Sequence, residues 1–368
     1  MTKTTKKIIY CTVTNDLNQD QRMHRIATSL SDNGYEVHVV GSSKIASEPL
    51  LQMNFGQHRI NCWFRRGFLF YMEYNIRLFL YLLVRKMDIV YSVDLDTIMV
   101  GVLHKIMKGS KLVYDAHEYF TETPEVVHRP VIKAVWSSIA RLCVPRADRA
   151  ISVSQSLCDV LSDVYGLPFT CLYNVPFRTT EGKEFPTKDK KYILYQGMLN
   201  RGRGLREMIE AMEYIDPDYE LWLVGIGDIG AELKAISSQS TATDRIHFLG
   251  WKSPPELNKI TQHATLGLNL LEADGLSYYY SLANKFFDYM HAGVPSINRS
   301  FPAYEAIISR YEVGLLLDDL SKTTIADQIN GLLNDVEKYT KIQTQCAEAN
   351  RVFNWQNEEK KLLSLISF

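Results

Sequence analysis

Apolar and polar positions along the chain follow two periods in turn, and the switch between them repeats. Residues 8–13 form a β-branched and aromatic run that reads as a strand. From 20 to 33 the apolar positions Met23, Ile26, Ala27 and Leu30 recur at i, i+3, i+4 and i+7, one face of a helix, and Gly34 follows as a stop signal. Further strand patterns lie at 35–40, 59–64, 88–92, 111–114 and 149–153, and helical patterns at 68–84, 95–107, 131–144 and 155–164. Strands alternating with helical stripes predict an α/β fold, a parallel sheet with helices on both faces.

The alternation stops at Pro176. Residues 177–191 hold almost no apolar side chains and read as a linker. It then restarts, with strands at 192–196, 220–224, 246–249, 265–270 and 294–297, and helical stripes through Leu205, Met208, Ile209 and Met212 and through Ile325, Ile329, Leu332 and Leu333. Two similar α/β domains joined once are expected, with a ligand at the carboxyl ends of the strands, in the cleft between them.

Composition narrows this little. The 368 residues are 46% hydrophobic and 23% charged, ordinary for a globular chain and unlike a disordered, collagen-like or small disulfide-built one. The net charge of −1 gives no reason to expect nucleic acid. That figure is a cancellation: residues 1–175 carry 20 Lys+Arg against 16 Asp+Glu, and the remainder 21 against 26. Arg65, Arg66, Arg77, Arg85 and Lys86 cluster around the most apolar segment, 68–84, opposed only by Glu73. Its longest uncharged run is seven residues, against the ~20 a spanning helix needs. Two readings are open: a buried helix, or a surface helix that touches lipid through 63–86. Six scattered cysteines without a C-x-x-C pair fit reduced thiols in the cytoplasm.

Five constellations carry chemistry. In the stretch 195–204, Gly197 permits a sharp turn after a strand, and Arg201 and Arg203 stand near a helix start, where guanidinium forks and backbone N–H groups suit a diphosphate. It is neither a Walker A loop nor G-x-G-x-x-G. Gly225 and Gly227 close another strand and permit backbone approach to a nucleotide. In 275–295 a polar loop enters a helix that stops at Gly293, with Asn284 and Lys285 in its first turn and Asp288 one turn on; an amide, an ammonium and a carboxylate suit phosphate and ribose hydroxyls. Residues 112–118 run from a strand into Asp115, His117 and Glu118. The loop 14–22 holds Asp16, Asp20, which fits a plain N-cap, and Arg22. Each also has a bland reading: a glycine turn with solvated arginines, a capped helix, a structural histidine.

Taken in this order, the motifs resemble a GT-B fold glycosyltransferase, close to glycosyltransferase family 4, over nearly the whole chain. The most specific parts are 195–204, 280–295 and 114–118, supported by 312–318. The resemblance implies two Rossmann-like domains: an acceptor-binding one at 1–176 and a nucleotide-sugar-binding one at 192–350, with a final helix in 351–368 returning to the first. The family's Lys-Gly at the diphosphate corresponds to Arg203-Gly204. Its basic residue after the first glycine is here Met198, for which Arg201 would substitute. Of two family glutamates with seven residues between them, the second, a ribose ligand, falls on Asp288 and the first on Tyr280, a departure. Ser281, Leu282, Asn284 and Lys285 belong to a run some members carry, with Lys285 as the diphosphate cation, and Trp251 lies where the base would be flanked. His117 matches the histidine that contacts the transferred sugar. Asp16, Asp20, Arg22, Asp115 and Glu118 would face the acceptor.

The resemblance further implies retention at the anomeric carbon without a metal or other cofactor. Asp94-Leu-Asp96 has metal-motif spacing but lies in the acceptor half, and reads as structural or acceptor-facing. Expected partners are a UDP- or GDP-sugar and a glycan or lipid-linked acceptor, in surface polysaccharide synthesis at the inner face of the membrane. The alternatives are a sugar-nucleotide epimerase of the same fold and a catalytically silent nucleotide-sugar-binding protein.

Overall fold

The computed structural model describes residues 6–18, 20–43, 48–178 and 191–368. Most of the expected linker, 177–191, lies outside them. The chain divides into two compact units: Met1–Asn174 with Glu358–Phe368, and Val175–Asn357.

The first unit is built on seven strands: β1 (Ile8–Thr12), β2 (Glu36–Ser42), β3 (Gly56–Ile60), β4 (Ile89–Val93), β5 (Lys111–Ala116), β6 (Arg149–Ser152) and β7 (Phe169–Cys171). All pair in parallel in the order β3-β2-β1-β4-β5-β6-β7. The second holds β8 (Tyr192–Gln196), β9 (Glu220–Val224), β10 (Ile246–Gly250), β11 (Leu266–Asn269), β12 (Ser296–Arg299) and β13 (Gly314–Leu317), again all parallel, in the order β10-β9-β8-β11-β12-β13. Strands such as β4 and β8 are buried along their whole length, which is why they read as unbroken apolar runs. In each sheet the order reverses direction once, between β1 and β4 and between β8 and β11. The loops that leave those strand ends diverge, which opens a crevice there.

Two expectations shift. The strand expected at 59–64 is β3, three residues earlier: it pairs with β2 from His38↔Gly56 to Ser42↔Ile60, and no partner continues past Ser42. The segment 68–84 is neither wholly buried nor detached. The helix Gly67–Leu83 buries Tyr74, Leu78 and Leu82 and exposes Phe68, Met72, Ile76 and Leu80 on successive turns of its other face. Among the described residues no helix is long and apolar enough to cross a membrane.

The last helix, Trp355–Ile366, straddles the division. Within the first unit Leu362 and Ile366 are fully buried, Glu358 accepts the Tyr173 N–H at 3.0 Å, and Lys7 Nζ donates to the Phe368 carbonyl at 2.7 Å.

Candidate active site

In the second unit, two loops that flank the reversal point are tied together. After β8, Gly204 adopts φ +62°, and a Cβ there would lie 2.4 Å from the Leu270 carbonyl oxygen of the loop after β11. The Gly204 N–H donates to Glu272 Oε1 at 3.3 Å, and the Glu272 N–H to the Gly202 carbonyl at 2.9 Å. Arg203 is thereby fixed at the crevice. It bonds the Tyr195 hydroxyl, which donates onward to the Met198 carbonyl at 2.7 Å, while its Nε is buried without a partner.

The loop after β11 leads to the helix Asn284–Ala292, closed by left-handed Gly293. Its N-cap, Ala283, gives the first-turn amides no side-chain acceptor. Lys285 in that turn is only 6% exposed. Its ammonium sits 3.9 Å from the centre of the Tyr195 ring and has neither a hydrogen bond nor an ion pair among the described residues. Burial, reinforced by Arg203 and opposed by Asp288, holds its pKa well below the ordinary lysine value. Arg203 and the Lys285 amine thus converge at a helix start with no ion pair to either among the described residues, an arrangement that suits a phosphate or diphosphate.

Asp288 is held one turn further on. Gln196, the last residue of β8, donates Nε2 to Asp288 Oδ2 at 2.8 Å, and Thr261 donates to Gln196 Oε1 at 2.6 Å. That chain fixes the amide orientation and aims the carboxylate.

The other residues expected at this site take a range of placements. Gly225 and Gly227 serve chain packing: a Cβ would lie 1.8 Å from the Gly197 carbonyl oxygen in one case and 2.4 Å from that of Leu199 in the other. The backbone conformation of Gly197, φ +138°, belongs to the same crossing, where its N–H reaches Val224 at 2.9 Å. Arg201 is 81% exposed and pairs with Glu232 at 3.2 Å. The Leu282 side chain is in the core, and Ser281 bonds back to the Tyr278 carbonyl at 2.8 Å. Tyr280 caps the short helix Leu276–Tyr279 and meets the Tyr279 ring edge-on at 5.0 Å. Asn284 and Trp251 are exposed. Gln196, Thr261, Glu272 and Tyr195 were not anticipated; Glu272 alone had a local signal, an acidic loop after a strand.

The first unit places a second polar cluster at its own reversal point. Asp115, at the end of β5, is fully buried and accepts Arg22 Nε at 3.1 Å and Nη2 at 2.9 Å, the Tyr91 hydroxyl at 2.7 Å, and faces His117 Nε2 at 3.3 Å. Asp94, following β4, has φ +55° and accepts the His117 N–H at 2.9 Å. Thr14 donates to Asp96 at 2.5 Å, and burial, then the neighbouring Asp94, raise Asp96 to about 7. Burial opposes a charge on His117, but Asp94 and Asp115 outweigh it and raise the imidazole to about 9.

Here too the expected residues take a range of placements. Arg22 and Asp115 are turned inward on each other, Asp16 is buried on Arg59 at 2.7 Å, and Asp20 caps the helix Gln21–Asp32 through the Met23 N–H. Ion pairing occupies Arg22, Asp115 and Asp16, and helix capping occupies Asp20; Glu118 is exposed and His117 partly so. Among the described residues no group of His, Cys, Asp and Glu side chains is arranged to hold a metal ion.

Two parallel sheets, each with polar loops gathered at its reversal point, define a GT-B-type transferase architecture. Residues 19–175 match the model of Glycosyltransferase Family 4 and residues 177–349 that of Glycosyl transferases group 1. The chain belongs to this family of glycosyltransferases. Among solved structures it is similar to HepE from Anabaena in complex with UDP and glucose, at 16% identity over 98% of this chain and 99% of that one, TM-score 0.80. Sucrose-phosphate synthase from Thermosynechococcus elongatus is similar at 16% identity over 98% of each chain, TM-score 0.80. So is WaaG, a glycosyltransferase involved in lipopolysaccharide biosynthesis, at 14% identity over 98% of this chain and 100% of that one, TM-score 0.76. No match was found among curated proteins.

Proposed function

We propose that this glycosyltransferase moves a hexose or N-acetylhexosamine, with retention, from a UDP- or GDP-sugar to a hydroxyl of a glycan or lipid-linked acceptor, in surface polysaccharide synthesis on the cytoplasmic side of the membrane. The observation that carries the reading is the convergence of Arg203 and buried Lys285 with no ion pair to either among the described residues. In the reaction the bond from the anomeric carbon to the diphosphate oxygen breaks and a bond to the acceptor oxygen forms on the same face. The acceptor proton leaves to the departing diphosphate. Arg203, Lys285 and the first-turn amides at Asn284 stabilise the charge that grows on that oxygen. Asp288, aimed by Gln196, takes the ribose hydroxyls, and His117 contacts the transferred sugar. UDP bound to the similar HepE supports a nucleotide-sugar donor.

A thermal-shift panel of UDP- and GDP-sugars, followed by product analysis with and without candidate acceptors, tests this. Stabilisation by one donor and acceptor-dependent release of its nucleotide are expected. Conversion of the free donor to an epimer without acceptor would favour the epimerase reading. Binding without any turnover would leave a silent nucleotide-sugar-binding protein.

The helix Gly67–Leu83 supports a peripheral membrane contact as well. Its outer stripe of Phe68, Met72, Ile76 and Leu80 is continued by exposed Trp63 and Val84 and flanked by Arg65, Arg66 and Lys86. Glu73, the one acid there, is engaged by Arg77 at 2.7 Å and by the Trp63 and Phe64 N–H groups. Flotation with vesicles rich in anionic lipid is the check; absence of binding at low salt would remove this contact.

A further inference from the structure

We propose that Arg22, Tyr91, Asp115 and Asp94 form a positioning network that holds His117 as an imidazolium, so that the ring supplies a fixed positive charge and not a proton acceptor. The role of that charge toward the donor rests on the reading above; the protonation state does not.

Both ring nitrogens face carboxylates. Nε2 lies 3.3 Å from Asp115 and Nδ1 3.7 Å from Asp94. A neutral imidazole carries one N–H, so between two ionised acids either tautomer would turn a ring lone pair toward one of them, whereas the doubly protonated ring faces both with an N–H. Asp115 cannot turn away. Arg22 grips both its oxygens, the Tyr91 hydroxyl takes a further lone pair, and Arg22 Nη1 is anchored on the Leu172 carbonyl at 2.9 Å.

Asp94 is held as firmly by its backbone. A non-glycine residue at φ +55° is uncommon and persists where the surroundings over-determine it. Here the Asp94 N–H donates to the Asp115 carbonyl at 2.8 Å, and the Asp94 carboxylate accepts the His117 N–H at 2.9 Å. The left-handed turn is what aims the carboxylate at the ring.

Further charges near the ring are Arg22, Asp96, Asp20 and Glu118. Arg22 opposes a second cation, but its charge is committed to Asp115. Asp96 bonds Thr14 and Asp20 caps its helix. Burial pushes Asp96 up to about 7 and Glu118 up to about 8, so the charge that holds the imidazolium rests on Asp94 and Asp115, in keeping with its rise to about 9.

The test is a histidine-ring NMR titration of the full chain, with His117→Gln identifying the signal among nine histidines. A midpoint well above 8 is expected for the wild-type protein. Asp94→Asn should lower it by one unit or more, because asparagine has the shape of the aspartate already held in this backbone and still accepts the His117 N–H but carries no charge. A wild-type midpoint at or below 7, or one that Asp94→Asn leaves unmoved, overturns the network. The wild-type titration stands even if the variant fails to fold. In a transfer assay the rate should fall as pH rises through the same midpoint. A rate indifferent to that midpoint overturns the role toward the donor, whereas a raised midpoint without transfer from any nucleotide-sugar overturns the proposed function and leaves the network standing.

Discussion

The polar clusters of the two units are built on the same topological feature and are opposite in electrostatic character. In the first unit the buried arginines and the histidine meet carboxylates: Arg22 on Asp115, His117 between Asp115 and Asp94, Arg59 on Asp16, while Asp96 is bonded by Thr14 and pushed up to about 7. In the second, Arg203 and Lys285 act on one another, Asp288 bears on Lys285 from one turn away, and among the described residues no carboxylate forms an ion pair with either cationic side chain. A buried charge without a partner is costly, and the folded chain keeps one where a ligand completes the pairing. A balanced cluster positions; an unbalanced one binds.

Removing charges from each side is the most direct way to break this comparison. Asp115→Ala should destabilise the first unit by about 3–5 kcal/mol, since it strands Arg22 in the interior; denaturant unfolding followed by a reporter in that unit measures it. Lys285→Ala should leave the free protein as stable as before or more so, yet lower kcat/KM by about 10²-fold or more, in line with loss of an oxyanion donor. Near-normal turnover in that variant would remove Lys285 from the reaction.

Acidity sharpens the contrast more gently. His117 is raised on folding, so its contribution to stability is present below its unfolded value and is lost as pH rises through about 9. Asp115 is lowered, so its contribution is present above the ordinary carboxylate range and is lost as pH falls below it. Thermal melts of the first unit should therefore show a neutral plateau with a shoulder on each side. Lys285 is lowered and would regain its proton against a diphosphate, so nucleotide affinity should strengthen as pH falls toward neutrality, read by titration calorimetry. The smallest effect belongs to Arg201→Ala. Its exposed pair with Glu232 is worth about 0–1 kcal/mol, and donor binding and turnover should stay within about twofold of wild type.

How much of this could be read beforehand depended on distance along the chain. β8 and β9 match their expected bounds because strands buried on both faces leave apolar runs that no helix stripe imitates. β7 spans only Phe169–Cys171 and leaves too short a pattern to notice. The helices Pro254–His263 and Pro302–Tyr311 open on a proline, a start signal that was passed over. At the site, Arg203, Lys285 and Asp288 lay inside local motifs. The Gln196–Asp288 and Arg22–Asp115 contacts join residues 92 and 93 positions apart, and nothing in either stretch announces its partner. The glycines at 225 and 227 show how one local signal serves two ends: one chain crossing another needs the missing Cβ as much as a nucleotide would.

The closing helix has a consequence for biosynthesis. Residues 358–368 complete a unit whose other 174 residues are made first, with the whole second unit translated in between. Until the ribosome has delivered Leu362 and Ile366, the early sheet lacks the side chains that fill part of its interior, and the Tyr173 N–H lacks its carboxylate. The sheet that forms first is therefore finished last. A nascent chain that ends before residue 358 therefore leaves part of that interior unfilled, and unfilled apolar surface is what makes incomplete folds prone to aggregate.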